Sequence, residues 1–128
     1  MSRLLVYVSG PYTADTPEEV EANVKLAVEA AQELMRMGCA VICPHSMTWG
    51  WEDAPGLSYD DFLASDLAIV ARCDAICMVG SWYNSTGALK ELRAAVRQEG
   101  MVIFGGVEEA RGFLVERKCD ETDKEKDP

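Results

Sequence analysis

Arg3 to Glu19 reads RLLVYVSGPYTADTPEE. The apolar, β-branched run Arg3 to Ser9 has the composition of a short strand, and Gly10 and Pro11 punctuate its end. Thr16, Pro17, Glu18 and Glu19 then form a capping-box start with proline in the first helical turn. Helix one runs from there to a stop at Gly38. A strand that turns sharply into a capped helix is the opening half of a βαβ unit, and the rest of the chain repeats it. Cys39 to Cys43 is a second buried strand, followed by a long connection, Pro44 to Leu57, that carries His45, Trp49 and Trp51. Ser58 caps a helix to about Arg72, Ala75 to Val79 is a third strand ending at Gly80, and Thr86 to about Glu99 is the next helix. Met101 to Phe104 is a fourth strand, Gly105 and Gly106 turn the chain, and Val107 to about Val115 closes it with a helix.

Strands alternating with helices of this length predict an α/β fold: a flavodoxin- or Rossmann-like three-layer sandwich with a four- to five-stranded parallel sheet. Ligands of such sheets collect at the carboxyl ends of the strands. Those ends are Gly10 to Asp15, Pro44 to Asp53, Gly80 to Gly87 and Gly105 to Gly106.

The 128 residues are expected to form one domain, residues 1–117, followed by a charged tail, residues 118–128, whose composition predicts disorder. A net charge of −10 argues against binding nucleic-acid polymers or anionic membranes. No apolar run approaches a membrane span and no signal-peptide pattern opens the chain, so a cytoplasmic location is expected. The five cysteines, Cys39, Cys43, Cys73, Cys77 and Cys119, lack C-x-x-C spacing and read as small buried hydrophobes. His45 is the only histidine, so no zinc ligand set is expected, and a carboxylate-bound divalent ion is left open.

Two acids stand out. On helical spacing, Phe62, Leu63, Leu67, Ile69 and Val70 define an apolar face with Asp66 near its middle. Asp66 is either satisfied by nearby backbone or serine groups, or poised as an acid/base group with a raised pKa. In the next helix Lys90, Arg93 and Arg97 form a solvated stripe, and Glu91 points away from it among Gly87, Ala94 and Ala95. It reads either as an ordinary helix-surface glutamate or as a functional acid with room before it. Asn84, Ser85, Thr86 and Gly87 precede this helix, where hydroxyls and free N–H groups either cap it or seat an anion. Gly87 to Glu91 spans about 6 Å of helix axis, close to the distance between a 5′ phosphate and C1′ of a ribose.

The segments YVSGPYT (Tyr7 to Thr13), the pair Pro44 and His45, SDLAIVARCDAICMVG (Ser65 to Gly80), and Ser85, Gly87 and Glu91 as SxGxxxE resemble, in that order, the nucleoside 2-deoxyribosyltransferase-like superfamily. The resemblance covers about residues 3 to 104. It implies that Glu91 is the nucleophile that attacks C1′, that Asp66 handles the proton at the base, and that Tyr7 orients nucleophile or sugar. Serine rather than an acid six positions before the nucleophile favours the branch that hydrolyses nucleoside 5′-monophosphates. The strand-one loop GPYTADT, which lacks the arginine of vertebrate-type hydrolases, offers Thr13 and backbone N–H groups instead.

The expected reaction is hydrolysis of the N-glycosidic bond of a (deoxy)nucleoside 5′-monophosphate through a covalent glycosyl-Glu91 intermediate, without cofactor or metal. The substrate-facing residues fall in three loops: Ser9, Gly10, Tyr12 and Thr13; His45 and Trp49; Ser81, Asn84, Ser85 and Gly87. Trp49 and Trp51 either stack on the base or plug the core or a dimer interface. The resemblance implies a homodimer or higher homo-oligomer with shared active sites. The alternatives are deoxyribosyl transfer between free nucleosides and a nucleotide-binding or sensing module without chemistry.

Overall fold

The computed structural model describes the backbone of residues 3–126 and the side chains of residues 3–117. Four parallel strands, β1 (Leu5–Ser9), β2 (Ala40–Ile42), β3 (Ala75–Met78) and β4 (Val102–Phe104), form one sheet in the order β2-β1-β3-β4. The expected α/β architecture is therefore present, with four strands among the described residues. Register pairs Tyr7 with Ile42 on one side and with Ile76 on the other, so β1 is hydrogen-bonded along both edges.

Side chains alternate across β1, and this decides what each helix layer meets. Val6 and Val8 pack with Ala27, Ala31 and Leu34 of α1 (Pro17–Arg36) and with Ala110 of α5 (Val107–Lys126). Tyr7 points to the opposite layer with Ile76 and Met78, against Val70 of α3 (Tyr59–Val70) and Ala88 and Ala95 of α4 (Thr86–Arg97). Full burial of a side chain such as Leu34 stabilises the fold by about 1.5–3 kcal/mol.

Helix starts follow the sequence with one exchange of partners. Thr16 caps α1 by accepting from the Glu19 N–H at 3.2 Å, but the reciprocal carboxylate bond of a capping box is absent. The complete box forms at α3, where Ser58 and Asp61 exchange bonds in both directions. The connection from Pro44 to Leu57 contains a four-residue helix, α2 (Pro44–Met47), and Trp82–Asn84 forms a single 3₁₀ turn ahead of α4. The sequence reads both as loop, because neither is long enough to show helical periodicity.

α5 runs past Val115, where the apolar pattern fades, to Lys126. The backbone of residues 118–126, where the sequence predicts disorder, continues this helix, while their side chains and all of residues 127–128 lie outside what is described. Cys39, Cys43, Cys73 and Cys77 are buried free thiols; the side chain of Cys119 is not described. Among the described residues no helix is long and apolar enough to cross a membrane.

Candidate active site

β1 ends under α4, and its period-two alternation sends Tyr7 and Ser9 to the same face. Glu91, on the buried stripe of α4 with Ala88 and Ala95, meets both. The Tyr7 hydroxyl donates to Glu91 Oε2 and the Ser9 hydroxyl donates to Oε1 at 2.8 Å. Glu91 is only 6 % exposed, so a charged side chain sits where solvated glutamates do not. The surface reading of this residue is excluded, and two hydroxyl donors stand in for the lost water.

In front of Glu91 lies an open cavity of about 1110 Å³ at the carboxyl ends of β1, β2 and β3, large enough for a ligand of nucleotide size. Asp66 lines it from α3, on the same helical face as Tyr59, Phe62 and Leu63. The apolar spacing of that face predicts that it packs into the core. Instead only its Val70 end is fully buried, and Phe62 and Leu63 are half-covered walls of the cavity. Asp66 accepts no hydrogen bond from any described residue, so the reading in which backbone or serine groups satisfy it does not hold here.

The local electrostatics follow from this placement. Burial pushes the Glu91 carboxyl up to about 7; the Tyr7 and Ser9 hydrogen bonds pull it down, and the charge on Asp66 adds to the rise. Burial alone pushes Asp66 up to about 6. The Tyr7 phenol is driven far above its ordinary value, first by burial and then by the nearby Glu91 and Asp66, so it stays a proton donor at any physiological pH.

Of the strand-one loop residues, Gly10, Tyr12 and Thr13 line the cavity. Gly10 is required there: a Cβ would lie 2.8 Å from both Val79 Cγ2 and the Val79 carbonyl oxygen. Ser9 is fully buried beneath the cavity floor and reaches it only through Glu91, which separates it from the substrate-facing group in which the sequence places it. His45 lines the cavity from α2 with its Nε2 3.0 Å from the Pro11 carbonyl oxygen, edge-on to the Tyr12 ring at 5.8 Å between centroids. Ser81, Asn84, Ser85 and Gly87 also line it, and the Ser85 hydroxyl caps α4 by accepting from the Ala88 N–H at 3.2 Å.

Trp49 is not brought to the cavity. It and Trp51 are 51 % and 50 % exposed on the connection after α2, so they neither line this site nor plug the core. The turn between them is held by Gly50, at φ +88°, whose N–H donates to the Tyr12 hydroxyl at 3.3 Å. Tyr59, Asn23 and Glu52 also line the cavity, and the sequence reading does not single them out. Tyr59 was within reach, since it lies three, four and seven positions before Phe62, Leu63 and Asp66. Asn23 and Glu52 carry no such signal. Among the described residues no cluster of three acids, cysteines or histidines has the geometry to hold a metal ion.

A family model described as a domain of unknown function, DUF4406, matches residues 4–104. This chain belongs to the DUF4406 family. The matched span of the DUF4406 chain contains all four strands and every cavity residue named above. No curated protein matches the sequence. Among solved structures, the DUF4406 chain is similar to a 2-deoxyribosyltransferase from the psychrotolerant bacterium Bacillus psychrosaccharolyticus. The likeness has a TM-score of 0.53 at 19 % identity and covers 79 % of this chain and 74 % of that one. It establishes that the two share a fold.

Proposed function

We propose that this chain is an enzyme of the nucleoside 2-deoxyribosyltransferase-like superfamily. It cleaves the N-glycosidic bond of a (deoxy)nucleoside or its 5′-monophosphate through a glycosyl ester on Glu91. The observation that carries the reading is Glu91 itself: a buried carboxylate, held on both oxygens by Tyr7 and Ser9, facing an open cavity. The fold shared with a 2-deoxyribosyltransferase supports it.

In this reading a Glu91 oxygen attacks C1′ while the C1′–N bond breaks and its electron pair passes to the base. Asp66, whose raised pKa keeps a protonated fraction near neutrality, supplies the proton that the departing base takes up. Asp66 then accepts a proton from the water that attacks C1′ and frees Glu91. A second base in place of water gives transfer instead of hydrolysis. Tyr7 and Ser9 keep the carboxylate oriented, and as permanent donors they favour its ionised form. The exposed Trp49, Trp51 and Tyr83, together with the resemblance, support assembly into a homodimer or higher oligomer, which light scattering of the purified chain tests directly.

The decisive assay incubates the chain with deoxy- and ribonucleosides and with their 5′-monophosphates, and chromatographs for free or exchanged base. Base release from at least one of them, abolished in Glu91→Gln, is expected. Tight nucleotide binding without release would instead make the chain a binding or sensing module.

A further inference from the structure

The titratable groups that line the cavity share one property. Asp15, Glu19 and Glu52 stand at its rim and Asp66 and Glu91 inside it, five carboxylates with no lysine or arginine among the described lining residues. The remaining titratable groups are the phenols of Tyr7, Tyr12 and Tyr59 and the imidazole of His45.

His45 supplies no positive charge either. It is 6 % exposed, and burial pushes its pKa down, so the ring is neutral. Its Nε2 faces a carbonyl oxygen, which can only accept, so Nε2 carries the hydrogen and Nδ1 is left as a bare acceptor. That Nδ1 is buried and has no partner. Lys90 lies on the outer side of α4, with its Nζ 5.7 Å from the centroid of the Tyr59 ring. It does not line the cavity.

A cleft walled with one sign of charge concentrates ligands of the opposite sign and repels those of its own. The chain as a whole, at −10, adds to this field rather than opposing it. The helix N-terminus at Ser85 to Gly87 favours an anion, but it amounts to about half a charge against the three rim carboxylates, to which Glu91 adds its own charge whenever it is ionised.

We infer that the cavity selects its N-glycoside by charge, taking unphosphorylated sugars over 5′-phosphates and a cationic 5′ substituent over a neutral one. This rests on the N-glycosidase reading and sharpens it. It also reverses the preference for monophosphates drawn from Ser85, because the charge of the whole wall outweighs one hydroxyl.

The test holds base and sugar constant and varies only the 5′ group. For each base, in the ribo and deoxy series, kcat/KM for base release is measured on the 5′-hydroxyl, 5′-phosphate and 5′-ammonium compounds, at low salt and at high salt. The expected order is ammonium, then hydroxyl, then phosphate, with steps of about tenfold at low salt that shrink as salt is added. The triple variant Asp15→Asn, Glu19→Gln, Glu52→Gln should bring the three substrates closer together. A phosphate compound cleaved as well as or better than its nucleoside would overturn the inference, the more so if Lys90→Gln removes that activity. An ammonium compound cleaved no better than the hydroxyl would overturn its cationic half. No release from any compound would remove the N-glycosidase reading itself, a result distinct from release in the wrong order.

Discussion

At the scale of single residues the site is a contest over one proton. Burial favours neutral Glu91, and the Tyr7 and Ser9 hydroxyls favour the anion. Tyr7→Phe removes one of these donors, so the pH at which Glu91 ionises should move up and kcat/KM at pH 6 should fall by about 10- to 100-fold, the worth of a hydrogen bond to a charged group. Steady-state rates across pH check both. The same contest sets stability. With its pKa raised from 4.5 to about 7 in the folded chain, Glu91 holds a proton that the unfolded chain has already lost over that window. Its contribution is therefore intact below about pH 4.5 and lost as pH rises through about 7. Glu91→Gln, besides abolishing turnover, should raise Tm at pH 8 by several degrees, with little gain at pH 5. Equal shifts at both pH values would show that its burial carries no such cost. Glu91 and Asp66 were both legible in the sequence, because a charge off its helix's polar stripe violates the expected pattern. The bonds of Glu91 to Tyr7 and Ser9 were not, since those partners lie 84 and 82 positions away.

At the scale of elements, the starts of three helices are written in short local signals: Thr16 and Pro17 for α1, Ser58 for α3, Ser85 for α4. Element ends differ from the sequence reading by one or two residues, as frayed termini do, except in α5, which runs on from the expected Val115 to Lys126. The 3₁₀ turn and α2 are not legible in the sequence, because a single turn leaves no periodic trace. Gly10 links the elements to the site. Its hydrogen lies where any side chain would strike Val79 at the end of β3, so Gly10→Ala should force β1 and β3 apart beside Ser9. A loss of about 1–3 kcal/mol in urea unfolding, typical of overpacking, is expected together with reduced activity. An alanine variant of wild-type stability would mean that the strand ends can separate freely.

For the whole molecule, the fold brings two acids from two helices to one cavity with their ionisations inverted. If Glu91 must be charged and Asp66 protonated, the reactive form grows as pH rises toward about 7 and declines as it passes about 6. The product is a bell-shaped kcat/KM profile with its maximum near pH 6.5, roughly midway between the two. Asp66→Asn should remove the alkaline fall while lowering the maximum. An alkaline limb that survives this change would assign it to another group.

The sequence by itself determined the alternation of strands and helices, the capped starts, and the two misplaced acids, because these depend on neighbours a few positions apart. Only the tertiary structure decided that Ser9 serves Glu91 rather than a ligand, that Trp49 stands outside the cavity, and that the face of Asp66 is a wall rather than core. It also decided that five acids from four separate segments share one cleft. Each of these depends on which distant segments the parallel sheet sets side by side, and local pattern carries no record of that.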